Sequence, residues 1–599
     1  MLRSLVGSEM CIRDRSSFSM NFHHSAANIK IDGKRQAEIP IQSKIKGNLK
    51  ITSKMGQTTI TREFYPAVHS PALIEKIAIK NNEEKTCQLH IRENKMLKTF
   101  PRSVCAFHAI KAASALSFGN FYNEQNSCSA KTFALAPGAS IVFYAVYYAI
   151  SAEETFSMDI SAEITARQGF IHERFTSLRL ETPSRELNAQ FAHCVLRGSE
   201  SIFETKNGLM HAPGGGNYYA ALWTNDQCEY ANPFFPFSGY TKGIEQSINC
   251  YHLYEKYMDK SALPMAEKRP LVTSITSCGD DYWNGAGDRG DCEMYAYGLA
   301  RFLLSMGDKK LMADFFDNLV WCLDFALSRK TKEGVIASDA DELENRFESG
   351  DANLFTSCLT YDALNNCAVL AEILGSDKQA ALWKAESTAL KNAIEQYFGD
   401  EVEGYQTYRY YAGNQDLRAW ICMPLSVEIF DRSEDTVRAL FGKELYENAM
   451  LKTTSKDSTT WDRSLLFALR GTLLAGKAGQ GTKALLEYCN NRLLGCHAPY
   501  PFEAYPEGNR AHLAAESLLF ARAVTEGLFG LRAIGYRKLR IAPQLSDALP
   551  TISLSGLSLF GLKFAIHCEK NKITVEINNE KYVTSNSTAV FDFNKIQFV

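Results

Sequence analysis

Residues 338–351 read SDADELENRFESGD, six carboxylates (Asp339, Asp341, Glu342, Glu344, Glu348 and Asp351) around Arg346. A charge run of this kind is usually a solvated turn between helices. This one sits between two strongly apolar stretches, and its guanidinium offers a fixed fork to carboxylates or hydroxyls. Other stretches mix aromatic rings with acids, amides and arginine. LWTNDQCEYANPFFPFSGY (222–240) holds Trp223, Asn225 and Asp226, and DDYWNGAGDRGDCEMYAYG (280–298) holds Trp283, Asp288, Arg289 and Asp291. TTWDRSLLFALRG (459–471) holds Trp461, Asp462 and Arg463, and HAPYPFEAYPEGNRAHLAAES (497–517) holds Tyr500, Glu503, Tyr505, Glu507 and His512. Such mixtures suit a sugar: the aromatic face stacks on the C–H face of a pyranose while the polar groups bind its hydroxyls. Each also has a plainer reading. Trp461 to Arg463 can be a helix start with an ion pair, Trp223 and Trp283 core, Asp288 and Asp291 a buried network about Arg289, and Glu503 a cap.

The elements that must position these residues fall into three zones. Residues 1–15, MLRSLVGSEMCIRDR, resemble translated adaptor read-through and are set aside. From about 20 to 180 the chain alternates polar and apolar residues between turn signals, as in KIKGNLKITSKMGQTTITREFYPAV and FALAPGASIVFYAVYYAI, which predicts a β-sandwich. From about 185 to 535 the period is helical, with starts near 186, 238, 289, 309, 351, 376, 416, 433, 460, 478 and 511. Leu311, Phe315, Leu319, Cys322 and Ala326 form one stripe, and Leu354, Cys358 and Tyr361 another. A closed ring of six helical hairpins needs one more helix, expected near 220. From 536 to 599 strands return, in a segment too small to be stable alone that should pack on the helices. The fold class expected is a multidomain chain: N-terminal β-sandwich, central (α/α)6 toroid and small C-terminal β-domain.

Bulk composition narrows the function classes. A net charge of −3 and the lack of a long Lys/Arg block argue against a nucleic-acid partner. No apolar run approaches the ~18 residues of a transmembrane helix. The 16 Cys are scattered without a CxxC, and the 12 His include no HExxH. No metal or cofactor site is therefore expected, with carboxylate-bound calcium left open. The cysteine pattern favours a reducing compartment. A cytoplasmic location is expected, and the periplasm or secretion stays open because the native start is hidden.

The order of these stretches resembles the six-hairpin glycosidases, the (α/α)6 toroid glycoside hydrolases that include trehalases, processing α-glucosidases, glucoamylases and α-L-rhamnosidases. TTITREFYPAVHSPALIEKIAIKN is similar to the opening of their N-terminal β-domain. GDRGDCEMYAYGLARFLLSMGDKKLM resembles the segment entering the second half of the toroid, TTWDRSLLFALRG the Trp-Arg-Gly helix start of the glucosidase branch, and TEGLFGLRAIGYRKLRIAPQL the end of the toroid. The resemblance implies an inverting hydrolase acting on a carbohydrate through two carboxyl groups. Counting back from Arg346 puts Glu342 at the acid position, although the family's Ser-Gly is absent and Glu stands for its Asp, so Asp341 and Glu344 remain rivals. Crowded carboxylates resist joint ionisation, which raises one pKa as a proton donor requires. The base is implied in the loop before the last hairpin, where Glu503 matches first and Glu507 second. Trp223, Asn225, Asp226, Trp283, Asp288, Arg289, Arg346, Arg409, Trp461, Asp462, Arg463, Tyr505 and His512 are the implied sugar-binding set.

Long loops suggest a pocket and exo action on a terminal sugar. Other readings stay open on the same scaffold: a phosphorylase, which replaces the base by phosphate; an epimerase; a polysaccharide lyase using Tyr408, Arg409, Tyr410 and His512; or a non-catalytic glycan-binding protein. The sequence leaves the sugar, the linkage and the oligomeric state undetermined.

Overall fold

The computed structural model describes residues 25–101, 109–213, 221–260, 270–276, 281–282, 286–494, 499–502, 504–505 and 514–599. The chain divides into two compact units, Met1–Arg174 and Phe175–Val599.

In the first unit, period-two alternation makes half-buried strands. Cys87, Leu89 and Ile91 are buried in Cys87–Glu93, and the residues between them are exposed. That strand lies between Ala27–Ile31 and Ala130–Leu135 in an antiparallel sheet. A larger antiparallel sheet runs in the order Ile39–Ile45, Leu49–Met55, Thr58–Pro66, Ala72–Lys80, Ser140–Ser151, Ile110–Ser117, Leu97–Phe100. Ile29, Leu89 and Ile91 from the small sheet share one core with Ile60, Ile77 and Phe143 from the large one, so the unit is a β-sandwich.

In the second unit, inner elements follow one another around a ring: Asp226–Ala231, Asp291–Met306, Leu354–Ile373, Cys422–Ser426, Asp462–Leu474, and Ala514–Arg522 with Ala523–Leu528. Each packs on the next, and Ala514–Arg522 packs back on Asp226–Ala231. Outer helices alternate with them along the chain: Arg185–Glu200, Thr241–Glu255, Lys309–Ser328, Asp377–Phe398, Ser433–Leu440 and Ala478–Leu494. Position in the ring dictates the sequence pattern. Asp377–Phe398 buries Ala380, Trp383, Ser387, Leu390 and Ile394, a single stripe at helical spacing. Leu354–Ile373 is buried on nearly every side and shows almost no stripe. The element expected near 220 is the π-helix Asp226–Ala231, followed by the short helix Phe235–Ser238. All six π-helix residues are buried, so no amphipathic period marks it.

Two antiparallel sheets complete this unit. One joins Thr551–Leu559, Leu562–Glu569, Lys572–Ile577 and Glu580–Thr584 to Arg179–Glu181, the strand that precedes the first ring helix. The other is Arg532–Gly535, Lys538–Ile541, Ala589–Asp592 and Gln597–Phe598. Leu557, Ile566 and Phe591 belong to the same continuous core as Phe302 and Leu303 of the ring. Among the described residues, no helix is long and apolar enough to cross a membrane.

Candidate active site

The N-terminal ends of the inner elements bring the candidate residues together. Asn225 and Asp226 open the π-helix, Asp291 begins Asp291–Met306, Asp462 and Arg463 begin Asp462–Leu474, and Glu516 lies in the first turn of Ala514–Arg522. The acidic run forms the loop leading into Leu354–Ile373. Its start is fixed by backbone bonds: the Asp339 and Ala340 amides donate to the Asp288 carbonyl at 2.8 and 2.9 Å. Its end is fixed by Asn353, whose side chain caps the helix and donates to Ser338 and to the Ala340 carbonyl. Between these anchors Glu344 and Asn345 are both left-handed, with φ of 59° and 62°. A non-glycine pair in that region is held only where the surroundings over-determine it.

The run therefore splits. Asp339, Glu348 and Asp351 are exposed, whereas Asp341 and Glu342 are buried. The Oε2 atom of Glu342 accepts from Asn225 Nδ2 at 3.1 Å and from the Tyr230 hydroxyl, and lies 3.5 Å from Arg463 Nη1. Its Oε1 atom is equally buried and has no partner among the described residues. The neighbouring acids differ. Asp341 accepts from the Tyr410 hydroxyl at 2.5 Å on one oxygen and from the Leu343 amide at 2.7 Å on the other. Glu344 is paired to Arg289 Nη1 at 2.9 Å and is partly exposed.

Arg463 is the hub. Its Nε and Nη2 donate to Glu516 Oε1 at 3.0 and 2.7 Å, and Nη2 reaches Asp226 Oδ1 at 3.4 Å. Its guanidinium lies over Tyr230 and Trp461, 5.2 and 5.1 Å from the ring centroids, and Arg346 lies 5.3 Å from the Trp461 ring. Burial pushes the Glu342 carboxyl up, against the pull of Arg463, Tyr230 and Asn225. Burial likewise raises Asp341, opposed by the Tyr410 hydrogen bond and by Arg418. Glu229, neither of whose carboxyl oxygens has a hydrogen-bond partner among the described residues, is pushed well up by burial and then by the Glu342 charge.

The remaining sequence candidates fall into different roles. Both side-on nitrogens of Arg289 bind Asp291, and Asp288 accepts from the Gly290 amide at 3.0 Å, with its carboxyl pushed up to about 6 by burial. Asp462 is engaged on both oxygens by Arg492, and also receives Tyr488 and the Phe502 amide, each at 3.0 Å. Those contacts match the plainer reading of a structural ion pair at a helix start. Arg409 donates to the Tyr397 carbonyl and to Asp400, and Trp223 is buried in the strand Ala221–Trp223. The strand Ala504–Tyr505 pairs with Thr460–Trp461. Trp283, Glu503, Glu507 and His512 lie outside the described residues. Sequence reasoning passed over Glu229, Tyr230, Arg418 and Glu516. The first two lie in the π-helix, and Glu516 lies in the 497–517 stretch without an aromatic beside it. Arg418 stands two residues before Trp420, the local signal that could mark it.

No protein-family model and no curated protein sequence matches the chain. Solved structures do. A bacterial glucoamylase complexed with acarbose superposes with a TM-score of 0.53 at 11% identity, covering 84% of this chain and 90% of its own. A sialidase gives 0.53 at 12% identity, covering 90% of this chain and 61% of its own. A GH78 family rhamnosidase of Bacillus sp. GL1 gives 0.52 at 12% identity, covering 87% of this chain and 53% of its own. At such identities the likeness is one of fold: this chain has a toroid of alternating inner and outer helices like those structures, with β-rich regions before and after it in the sequence.

Proposed function

We propose that this chain is an inverting, exo-acting glycoside hydrolase in which Glu342 is the general acid and Glu503 the general base. One observation carries the assignment of the acid. Of the three neighbouring candidates, Glu342 alone has one oxygen anchored by donors and the other buried and unpartnered among the described residues. A proton donor needs that asymmetry: Oε2 fixes the carboxyl, and Oε1 carries the proton toward the glycosidic oxygen. The shared fold supports a carbohydrate substrate, since its solved examples include a glucoamylase holding acarbose, a sialidase and a rhamnosidase.

In this reading Glu342 protonates the leaving oxygen as the bond to the anomeric carbon breaks. Glu503 takes a proton from a water attacking the opposite face, and the sugar leaves with inverted configuration. Glu503 is proposed from the sequence resemblance; its described chain neighbours are Phe502, whose amide donates to Asp462, and Ala504, which pairs with Trp461. The test is a panel of α- and β-linked oligosaccharides followed by NMR from the first seconds. Immediate appearance of the inverted anomer is expected. A retained anomer, or release that requires added phosphate, overturns the mechanism.

Tyr230→Phe checks the anchoring. The hydroxyl donates to Glu342 Oε2 and holds its pKa down, so its removal raises that pKa further. A general acid works only while protonated, and activity is lost as pH rises through its pKa. The alkaline limb of the kcat profile is therefore expected to move to higher pH, with kcat at the optimum lowered about fivefold by the lost hydrogen bond that positions the carboxyl. An unmoved limb would show that Tyr230 does not act through the acid.

A further inference from the structure

Arg418 sits in an extended residue just before the turn Ala419–Ile421 and is only 4% exposed. Its guanidinium packs 4.7 Å from the Tyr410 ring centroid and 5.6 Å from that of Phe347, and its Nη1 donates to the Glu348 carbonyl at 2.8 Å. The other two nitrogens, Nε and Nη2, are buried and have no partner among the described residues. They are the two donors of one edge, with parallel N–H bonds spaced for the two oxygens of a carboxylate. Buried charged donors without acceptors are rare in native structures.

Six other arginines place a carboxylate on that edge, whereas in the buried Arg470 Nη2 meets the Tyr297 hydroxyl and Nε has no partner among the described residues. Nε and Nη2 bind Glu38 in Arg62, Asp291 in Arg289, Asp362 in Arg301, Glu516 in Arg463, Asp462 in Arg492 and Glu526 in Arg522. For Arg418 none of the described residues supplies such a group. Asp341, whose carboxylate feels the Arg418 charge, is turned to the Tyr410 hydroxyl and the Leu343 amide, and among the described residues no ion pair includes Arg418. The empty edge is nevertheless next to the chemistry, because Tyr410 joins the Arg418 guanidinium to Asp341, the residue before Glu342.

We propose that Arg418 is a substrate-binding residue whose side-on edge takes the carboxylate of an acidic sugar, so that the chain acts at a uronic acid residue. The reaction assigned to that substrate rests on the hydrolase reading; the binding does not. A neutral hexose offers the edge hydroxyls alone, without the opposite charge that a buried guanidinium favours.

Isothermal titration of the full chain with D-glucuronate, D-galacturonate, D-glucose and D-galactose tests it. At least one uronate is expected to bind about tenfold or more tighter than its neutral counterpart, from the added charge-assisted pair. Arg418→Met is expected to weaken that uronate about 30-fold or more and leave the neutral sugar little changed. Arg418→Lys keeps the charge without the fork and should restore part of the loss. Neutral sugars bound as tightly as both uronates, or a uronate bound equally by parent and Arg418→Met, overturns the proposal. Should Arg418→Met fail to fold, the parent's preference and the Lys variant still decide it. Incubation with an oligosaccharide of 4-linked uronates separates the two readings. Uronate binding with an unsaturated, ultraviolet-absorbing product, or with no product, refutes hydrolysis and leaves the Arg418 assignment standing.

Discussion

Glu342→Gln is expected to lower kcat on a natural oligosaccharide about 10²–10⁴-fold, the range that general acid–base groups contribute. The substitution is nearly isosteric. The Gln carbonyl can still accept from Asn225 Nδ2 and the Tyr230 hydroxyl, so the side chain stays in place. Arg463 keeps Glu516 and Asp226 as partners, so no buried guanidinium is stranded and the folded state survives. What is lost is the proton on the second oxygen. That loss predicts a dependence on the leaving group: an aryl glycoside with an acidic phenol needs little protonation, so its kcat should fall far less than that of an alkyl-linked sugar. Glu344→Gln serves as a comparison, because Glu344 is partly exposed and its role is to pair with Arg289. Removing that charge is expected to cost less than about tenfold, since the Gln carbonyl can still accept from Arg289 and the pair is partly exposed. Equal losses on aryl and alkyl glycosides, or a Glu344 variant as impaired as the Glu342 one, would move the acid elsewhere. Far-UV circular dichroism on each variant separates lost chemistry from lost fold.

The same contacts explain why parts of the molecule are legible in the sequence and parts are not. Outer helices face solvent on one side, so Phe315, Leu319, Cys322 and Ala326 announce their helix by spacing alone. The inner helices are recognisable chiefly because apolar stretches of that length must lie inside something. The π-helix gives no such signal. Its residues are all buried and its backbone period is not 3.6, so Asn225 and Asp226 stand out by their chemistry alone while Glu229 and Tyr230 do not. The acidic run misleads in the opposite direction: as a charge run it reads as one solvated turn, yet Asp341 and Glu342 are buried and Asp339, Glu348 and Asp351 are exposed. What sorts them is long-range pairing, to Asn225 and Tyr230 for Glu342 and to Tyr410 for Asp341. Asp462 shows the same limit. Beside Trp461 it looks like a sugar ligand, and only Arg492, a full helix later, reveals what it binds.

Gly298→Ala is expected to disrupt the ring at the point where the candidate site is anchored. Gly298 lies within Asp291–Met306, facing the π-helix, and a Cβ added there would stand 2.0 Å from the Cys228 carbonyl oxygen and 2.6 Å from its carbonyl carbon. Those are backbone atoms, so no rotamer change relieves the overlap. The π-helix cannot simply step aside either. On its other flank Arg522 donates to the Glu229 carbonyl, and Ala514–Arg522 packs against it to close the ring. Overpacking of ordinary cores costs about 1–3 kcal/mol; a clash between two backbones in a closed ring belongs in the exceptional class above about 4 kcal/mol. The expected outcome is insoluble protein, or a Tm lower by roughly 5–10 °C, with activity lost because Asn225 and Tyr230 sit on either side of Cys228. Gly479→Ala is the control: it is helical, meets nothing within 4 Å, and should be neutral or stabilising by about 0.4–1 kcal/mol. Calorimetry on the two variants decides the matter. If Gly298→Ala melts with the parent, the π-helix is not packed against Asp291–Met306 as described, and the asymmetry of the Glu342 carboxyl, which depends on Asn225 and Tyr230 being held there, loses its structural basis.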